Sequence, residues 1–249
     1  MDKKLKANLP PLLLPSSVSV FAPFTELKDR DVRIELTIKS IGKWLHMAKN
    51  IQIVICDGSG FDFSEIVAKK FPEANIECLF FENNRELVAL YGKGYGEGEI
   101  VKYALENSKY LKDAQFFAKC TAKLWVSNFF KCLKDAGGPF SCNCVFSNYK
   151  SVFKLKFEHI DTRFYITNKL FFLENFASAY LNVRDQEGHY LEHCFRDVVI
   201  EKKLNKIITP IFPIIEGVSG SSGVKYSNSI KNKIKFSIKR LILKTNKII

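Results

Sequence analysis

The first 147 residues alternate short apolar runs with stretches whose apolar positions recur every three or four residues. Val18–Ala22 reads as a buried strand stopped by Pro23. From Val32 to Met47, the residues Ile34, Ile38, Ile41 and Leu45 fall on one face, which predicts an amphipathic helix. Ile51–Cys56 predicts a second strand, ended by the turn residues Asp57-Gly58-Ser59-Gly60. Ser64 opens a helix through Lys70 that Pro72 closes, and Ile76–Phe81 predicts a third strand. Tyr91–Gly98 reads as a glycine-rich loop feeding a helix over Glu99–Leu111. The run Asp113-Ala-Gln-Phe-Phe-Ala-Lys119 predicts a fourth strand, followed by a helix over Leu124–Lys134 and a strand over Phe140–Phe146.

This order predicts an α/β fold: a mostly parallel sheet with helices on both faces. Such sheets bind ligands beyond the carboxyl ends of their strands. Those ends carry Pro23-Phe24-Thr25, Asp57-Gly58-Ser59 and Lys119-Cys120-Thr121. Beyond residue 147 the pattern is less regular. Lys154–Ile160 and Arg163–Thr167 read as strands, Leu170–Leu181 and Tyr190–Lys202 as helices, and Ile207–Ile215 as a strand. Ser219-Gly-Ser-Ser-Gly223 reads as a flexible hinge. The predicted organisation is an N-terminal extension (1–16), a main domain (17–218) and a hinge with a tail (219–249).

Charge changes the picture at the tail. The chain of 249 residues has a net charge of +12. Eight of its Lys and Arg lie between Lys225 and Lys247, with no acid among them, which leaves +4 for residues 1–224. Ile230, Ile234, Ile238, Leu241 and Ile242 share one helical face there. A basic amphipathic C-terminal helix follows, suited either to an anionic membrane surface, over residues 227–249, or to packing on the protein's own sheet. The charge sits in this tail without an aromatic-basic recognition module, so no nucleic acid partner is expected. Composition is that of a globular protein, 47% hydrophobic and 26% charged. No apolar stretch is long enough to span a membrane. The N-terminal leucines are broken by Pro10, Pro11 and Pro15, against a signal peptide. Seven cysteines without zinc-knuckle spacing read as buried thiols of a reducing cytoplasm.

Several residue groups carry candidate chemistry. Asp57 at a strand end accepts hydrogen bonds from a base or ribose, or it caps the next helix. Gly92, Gly94, Gly96 and Gly98 before a helix form an anion nest, or an ordinary surface loop; neither Walker nor dinucleotide spacing is present. Lys119 and Lys123 flank Thr121 and pair with a diphosphate, or with Glu97 and Asp135 as surface charges. Glu192, next to His193, is placed to take a proton from a hydroxyl, or is a helix-start charge.

The strand ending in proline, the helix and the strand ending in Asp-Gly-Ser (SVFAPFTE…IQIVICDGSG) resemble the opening of GT-A-fold glycosyltransferases. The likeness is closest to bacterial enzymes that build lipopolysaccharide or capsule glycans, and covers residues 17–223 at the level of pattern. It implies a catalytic domain on a Rossmann-like GT-A sheet, with a nucleotide-binding half over about 17–147 and an acceptor half over about 148–218, and a nucleotide-sugar donor contacted by Asp57 and the glycine segment. It also implies a glycan or lipid-linked acceptor and Glu192 as the base of an inverting transfer, with His193 beside it. Arg163, in Asp161-Thr-Arg163, would contact an anionic acceptor. That family's Asp-x-Asp metal motif belongs after the fourth strand, where this chain reads Lys119-Cys-Thr-Ala-Lys123. No divalent metal or other cofactor is therefore expected, and the lysines would steady the leaving phosphates. The expected location is the cytoplasmic face of the inner membrane. A sugar nucleotidyltransferase of related fold is the alternative, and a nucleic-acid-binding protein a more distant one.

Overall fold

The computed structural model describes residues 9–134, 136, 138–147, 156–209 and 211–226. The elements in chain order are β1 (Leu12–Ser16), α1 (Arg30–Met47), β2 (Ile53–Asp57), α2 (Ser64–Lys70), β3 (Ile76–Phe80), α3 (Arg85–Tyr91), α4 (Lys93–Asn107) and the short α5 (Lys109–Lys112). There follow β4 (Phe116–Cys120), β5 (Leu124–Val126), α6 (Phe129–Lys134), β6 (Phe140–Ser147), β7 (Lys156–Asn168) and α7 (Lys169–Asn175). The series ends with α8 (Leu191–Glu201), β8 (Ile215–Val218) and β9 (Lys225–Tyr226).

Six strands form one sheet in the order β3-β2-β1-β4-β7-β6. β3, β2, β1 and β4 run parallel, and β7 pairs antiparallel with both β4 and β6. This is the expected mostly parallel α/β sheet with flanking helices. The inner strands are buried on both faces, so they read as continuous apolar runs. Along β1, Leu13 packs into one core and Leu12 and Leu14 into the other, on opposite sides of the sheet. On α1, Ile38, Ile41 and Trp44 are buried on the expected face, and Asp29 caps the helix by accepting from Val32 N (2.9 Å).

Several expectations need correction. The first strand is Leu12–Ser16, not Val18–Ala22, so the supposed extension supplies an inner strand of the sheet. Pro15 is tolerated because the β1–β4 ladder covers Leu12 and Leu13 and has stopped before it. The supposed helix over Leu124–Lys134 divides into β5 and α6. The two strands drawn from Lys154 to Thr167 are one, β7, and it lies in the same sheet as β1, so the two supposed halves share that sheet. The strand placed at Ile207–Ile215 is instead β8, in a small antiparallel sheet β5-β8-β9. Ser219–Gly223 is not a hinge but the turn of the β8–β9 hairpin, closed by Ser219 N to Val224 O (2.8 Å) and Gly223 N to Ser219 O (3.0 Å). The expected C-terminal helix lies outside the described residues. Among the described residues, no helix is long and apolar enough to cross a membrane.

Candidate active site

A cavity of about 470 Å³ opens at the carboxyl ends of the parallel strands, where this architecture binds ligands. Ser16 at the end of β1, Gly58 after β2 and Thr121 after β4 form its base. The start of α4, residues 161–163 of β7, Glu192 on α8 and the turn 219–222 wall it.

Two buried cations define its chemistry. Arg33, from the first turn of α1, donates Nε to Ser17 O (2.7 Å) and Nη1 to Leu27 O (2.8 Å) and Gly220 O (3.0 Å). Lys123 is only 3% exposed, and its ammonium makes no hydrogen bond or ion pair with the described residues. Burial, and then the charge of Arg33, push its ammonium down to about 7. The two cations stand side by side against the turn: a Cβ on Gly220 would lie 3.4 Å from Lys123 Nζ and 3.7 Å from Arg33 Nη1. Among the described residues, no carboxylate comes within ion-pair distance of either. Lys93 sits on the same wall and donates Nζ to Ser221 Oγ (3.0 Å).

Lys119 has a different fate from Lys123. It is fully buried outside the cavity lining, and its Nζ donates to Glu97 Oε1 (2.6 Å) and Thr162 O (2.7 Å). The pairing with Glu97 weighed in the sequence is thus present, buried rather than on the surface. Thr121 does line the cavity.

Asp57 does not line the cavity. Its Oδ2 accepts from Val18 N (3.0 Å), and its Oδ1 from Ser59 N (2.8 Å) and Ser59 Oγ (2.6 Å). The carboxylate and Ser59 lock the turn after β2 onto the segment after β1. Gly58 alone of this turn lines the cavity, and a Cβ there would meet Asn83 Oδ1 at 1.8 Å. Pro23 and Phe24 fall outside the lining; Phe24 is 80% exposed, while Thr25 lines the wall.

The glycine segment is helix, not loop. Gly94, Gly96 and Gly98 lie within α4, where missing Cβ atoms let the helix pack closely: one on Gly94 would sit 2.9 Å from Leu191 Cβ, and one on Gly98 2.1 Å from Tyr180 Cβ. Gly94 and Gly96 line the cavity and Gly98 does not. The anion position at the helix start exists, but the chain fills it: Asp185 Oδ2 accepts from Lys93 N (2.9 Å). Burial pushes the Asp185 carboxyl up.

On the other wall, Glu192 Oε1 accepts from Thr162 Oγ1 (3.1 Å). His193 lies outside the lining; its Nδ1 accepts from Tyr190 N (3.1 Å) and caps α8, and burial lowers its pKa. Asp161 and Arg163 line the wall as a bonded pair, Nε to Oδ1 at 2.8 Å and Nη2 to Oδ2 at 2.6 Å. Burial would raise the Asp161 carboxyl, but Arg163 and Asn143 hold it below the usual range. Arg163 also stacks over Tyr226, 4.9 Å from the ring centre.

The donor set does not fit a divalent metal at the fourth strand end. Residues 119–123 carry no carboxylate, and the nearby Glu97 and Asp161 are claimed by Lys119 and Arg163. Sequence reasoning missed Arg33, Lys93, Asn83 and the serine turn. Arg33 carries no local signal among the charged residues that open α1. The turn's composition was visible, but not its place.

No protein-family model matches this chain, and no curated protein matches it. Solved structures do. Inositol-1-phosphate CTP transferase from T. maritima is 12% identical over 92% of this chain and 96% of that one, with a TM-score of 0.49. Core-mannan synthase A from Aspergillus fumigatus is 10% identical over 96% and 85%, at 0.48. 4-Diphosphocytidyl-2C-methyl-D-erythritol synthase from Anaerococcus prevotii is 11% identical over 92% and 98%, at 0.45. At these values the likeness assigns no activity or ligand to this chain.

Proposed function

We propose that this chain is an inverting glycosyltransferase that moves a sugar from a nucleoside-diphosphate donor to a glycan or lipid-linked acceptor of a bacterial surface polysaccharide, without a divalent metal. The observation that carries the reading is the pair Arg33 and Lys123, two buried cations in one cavity, with no carboxylate among the described residues within ion-pair distance of either. Such a pair is costly until an anion arrives. A diphosphate supplies that anion, and its charge grows as the glycosidic bond to it breaks. Fixed cations stabilise that growing charge without metal chemistry. Glu192, on the wall of the same cavity, takes the proton of the acceptor hydroxyl, whose oxygen attacks the anomeric carbon. The leaving phosphate keeps the electron pair of the broken bond. Asp161 and Arg163 form the acceptor side. The basic tail, residues 227–249, holds the protein on the anionic cytoplasmic face of the inner membrane.

The deciding experiment is release of nucleoside diphosphate from UDP-, GDP- and dTDP-sugars in excess EDTA. Turnover is expected to persist, and Glu192→Gln to lower it by about 100-fold. Activity abolished by EDTA and restored by Mn²⁺ would overturn the metal-free mechanism. Pyrophosphate release from CTP and a sugar phosphate, with no sugar transfer, would assign a nucleotidyltransferase instead.

A further inference from the structure

The carboxylates that line the main cavity or act on Lys123 from close by have all found other partners. Asp57 is held by the backbone of its own turn and by Val18 N, and Glu97 by Lys119. Asp161 is bound to Arg163, and Glu192 to Thr162. Arg33, on α1, faces Lys123 as a like charge, and Lys93 stands on the same wall. On its other side a small cavity, shared with Lys123, is lined by Lys39 of α1 and by Glu216, Lys225 and Tyr226 of the small sheet. Its neighbours therefore include cations but no carboxylate in contact. Glycine at 220 brings the hairpin turn against the ammonium, since any Cβ there would strike Lys123 Cε at 2.7 Å.

We propose that Lys123 takes up a proton when a doubly charged phosphoryl group enters the cavity and returns it to water when that group leaves. This rests on the reading of the cavity as a phosphate site, and adds that binding there is coupled to protonation. In the empty cavity, burial and Arg33 hold the amine near half-charged at neutral pH. An anion beside it reverses the balance, because opposite charge at contact favours the ammonium. Only one N–H bond forms and breaks: the Nζ lone pair takes a proton from solvent on binding and gives it back to water on release. The cation that stabilises the leaving group thus becomes fully charged only when there is a phosphate to meet.

Sulfate tests this directly, because it keeps both charges across neutral pH, and any proton gained belongs to the protein. Calorimetric titration of the full chain at pH 7, 8 and 9, in buffers of different ionisation enthalpy, reads affinity and proton uptake together. Affinity is expected to fall with pH, approaching about tenfold per unit, with uptake approaching one proton. Lys123→Arg, charged at every pH, is expected to bind sulfate with no such slope. Lys123→Met is expected to bind weakly at all three values. A flat wild-type profile, the same slope surviving in Lys123→Met, or no sulfate binding by the wild type would each overturn the proposal. EDTA-resistant sugar transfer with a flat sulfate profile would leave the glycosyltransferase reading standing and remove only the proton coupling.

Discussion

Lys119 and Lys123 lie four residues apart, and the sequence treats them alike, as cations after an apolar strand. Lys119 still belongs to β4, where Glu97 on α4 faces it at 2.6 Å. Lys123 lies beyond the strand end, where the backbone turns toward β5 and no acid follows. A buried lysine without a partner costs stability, and the sign of its pH dependence follows from its pKa near 7. Between about pH 7 and the free-lysine value of about 10.4, the unfolded chain binds a proton that the folded chain does not, so stability rises with pH in that window. Below about pH 7, the cost is fully present. Lys123→Met should therefore raise the Tm, most at pH 6 to 7 and less toward pH 10. A thermal melt series across that range checks it, and a lowered Tm at pH 6 would contradict it.

At the scale of elements, the instructive case is α4. Alternating glycines predict a loop, since each one in a helix costs up to about 1 kcal/mol relative to alanine. The helix forms because its bare faces let Leu191, Tyr180 and Asn83 approach, and the packing offsets the propensity. Local composition does not contain that information; Leu191 and Tyr180 lie more than 80 residues along the chain. Gly98→Ala would place a Cβ 2.1 Å from Tyr180 Cβ, and the overpacking should destabilise the protein by about 1–3 kcal/mol. Urea unfolding measures it, and a neutral or stabilising effect would show that the close approach does not constrain this position. The elements read well from sequence were α1, α2 and β2 to β4, whose periodicity or apolar run is clear and whose ends carry caps, Gly or Pro. β1 was misplaced because Pro10, Pro11 and Pro15 precede or interrupt it and prolines mark strand ends in most contexts, whereas Pro15 falls just past the end of the β1–β4 ladder.

At the scale of the molecule, the site is assembled across long separations. Arg33 and Gly220 are bonded although 187 residues apart, and Lys123 stands between them in sequence and beside both in space. The positive balance is divided in the same way: eight basic residues in the tail and a small excess elsewhere, part of it buried in the cavity. The proposed function gives these two features different targets, phosphate for the buried cations and an anionic surface for the tail. Removing residues 227–249 should abolish co-sedimentation with phosphatidylserine vesicles at low salt and leave sulfate binding intact. Equal sedimentation of both forms would place the membrane contact elsewhere or nowhere.

The sequence alone determined the α/β class, most of the helices and strands, and the strand-end location of candidate chemistry, because these follow from periodicity and turn residues within a few positions. It also determined that no carboxylate pair stands after the fourth strand. Only the tertiary structure decided which charges are free. Asp57 is consumed by its own turn, Asp185 fills the helix end and Glu97 neutralises Lys119, while Arg33 and Lys123 are left facing the cavity. Whether a buried charge has a partner depends on groups brought within a few ångströms by packing, and spacing along the chain does not encode that distance.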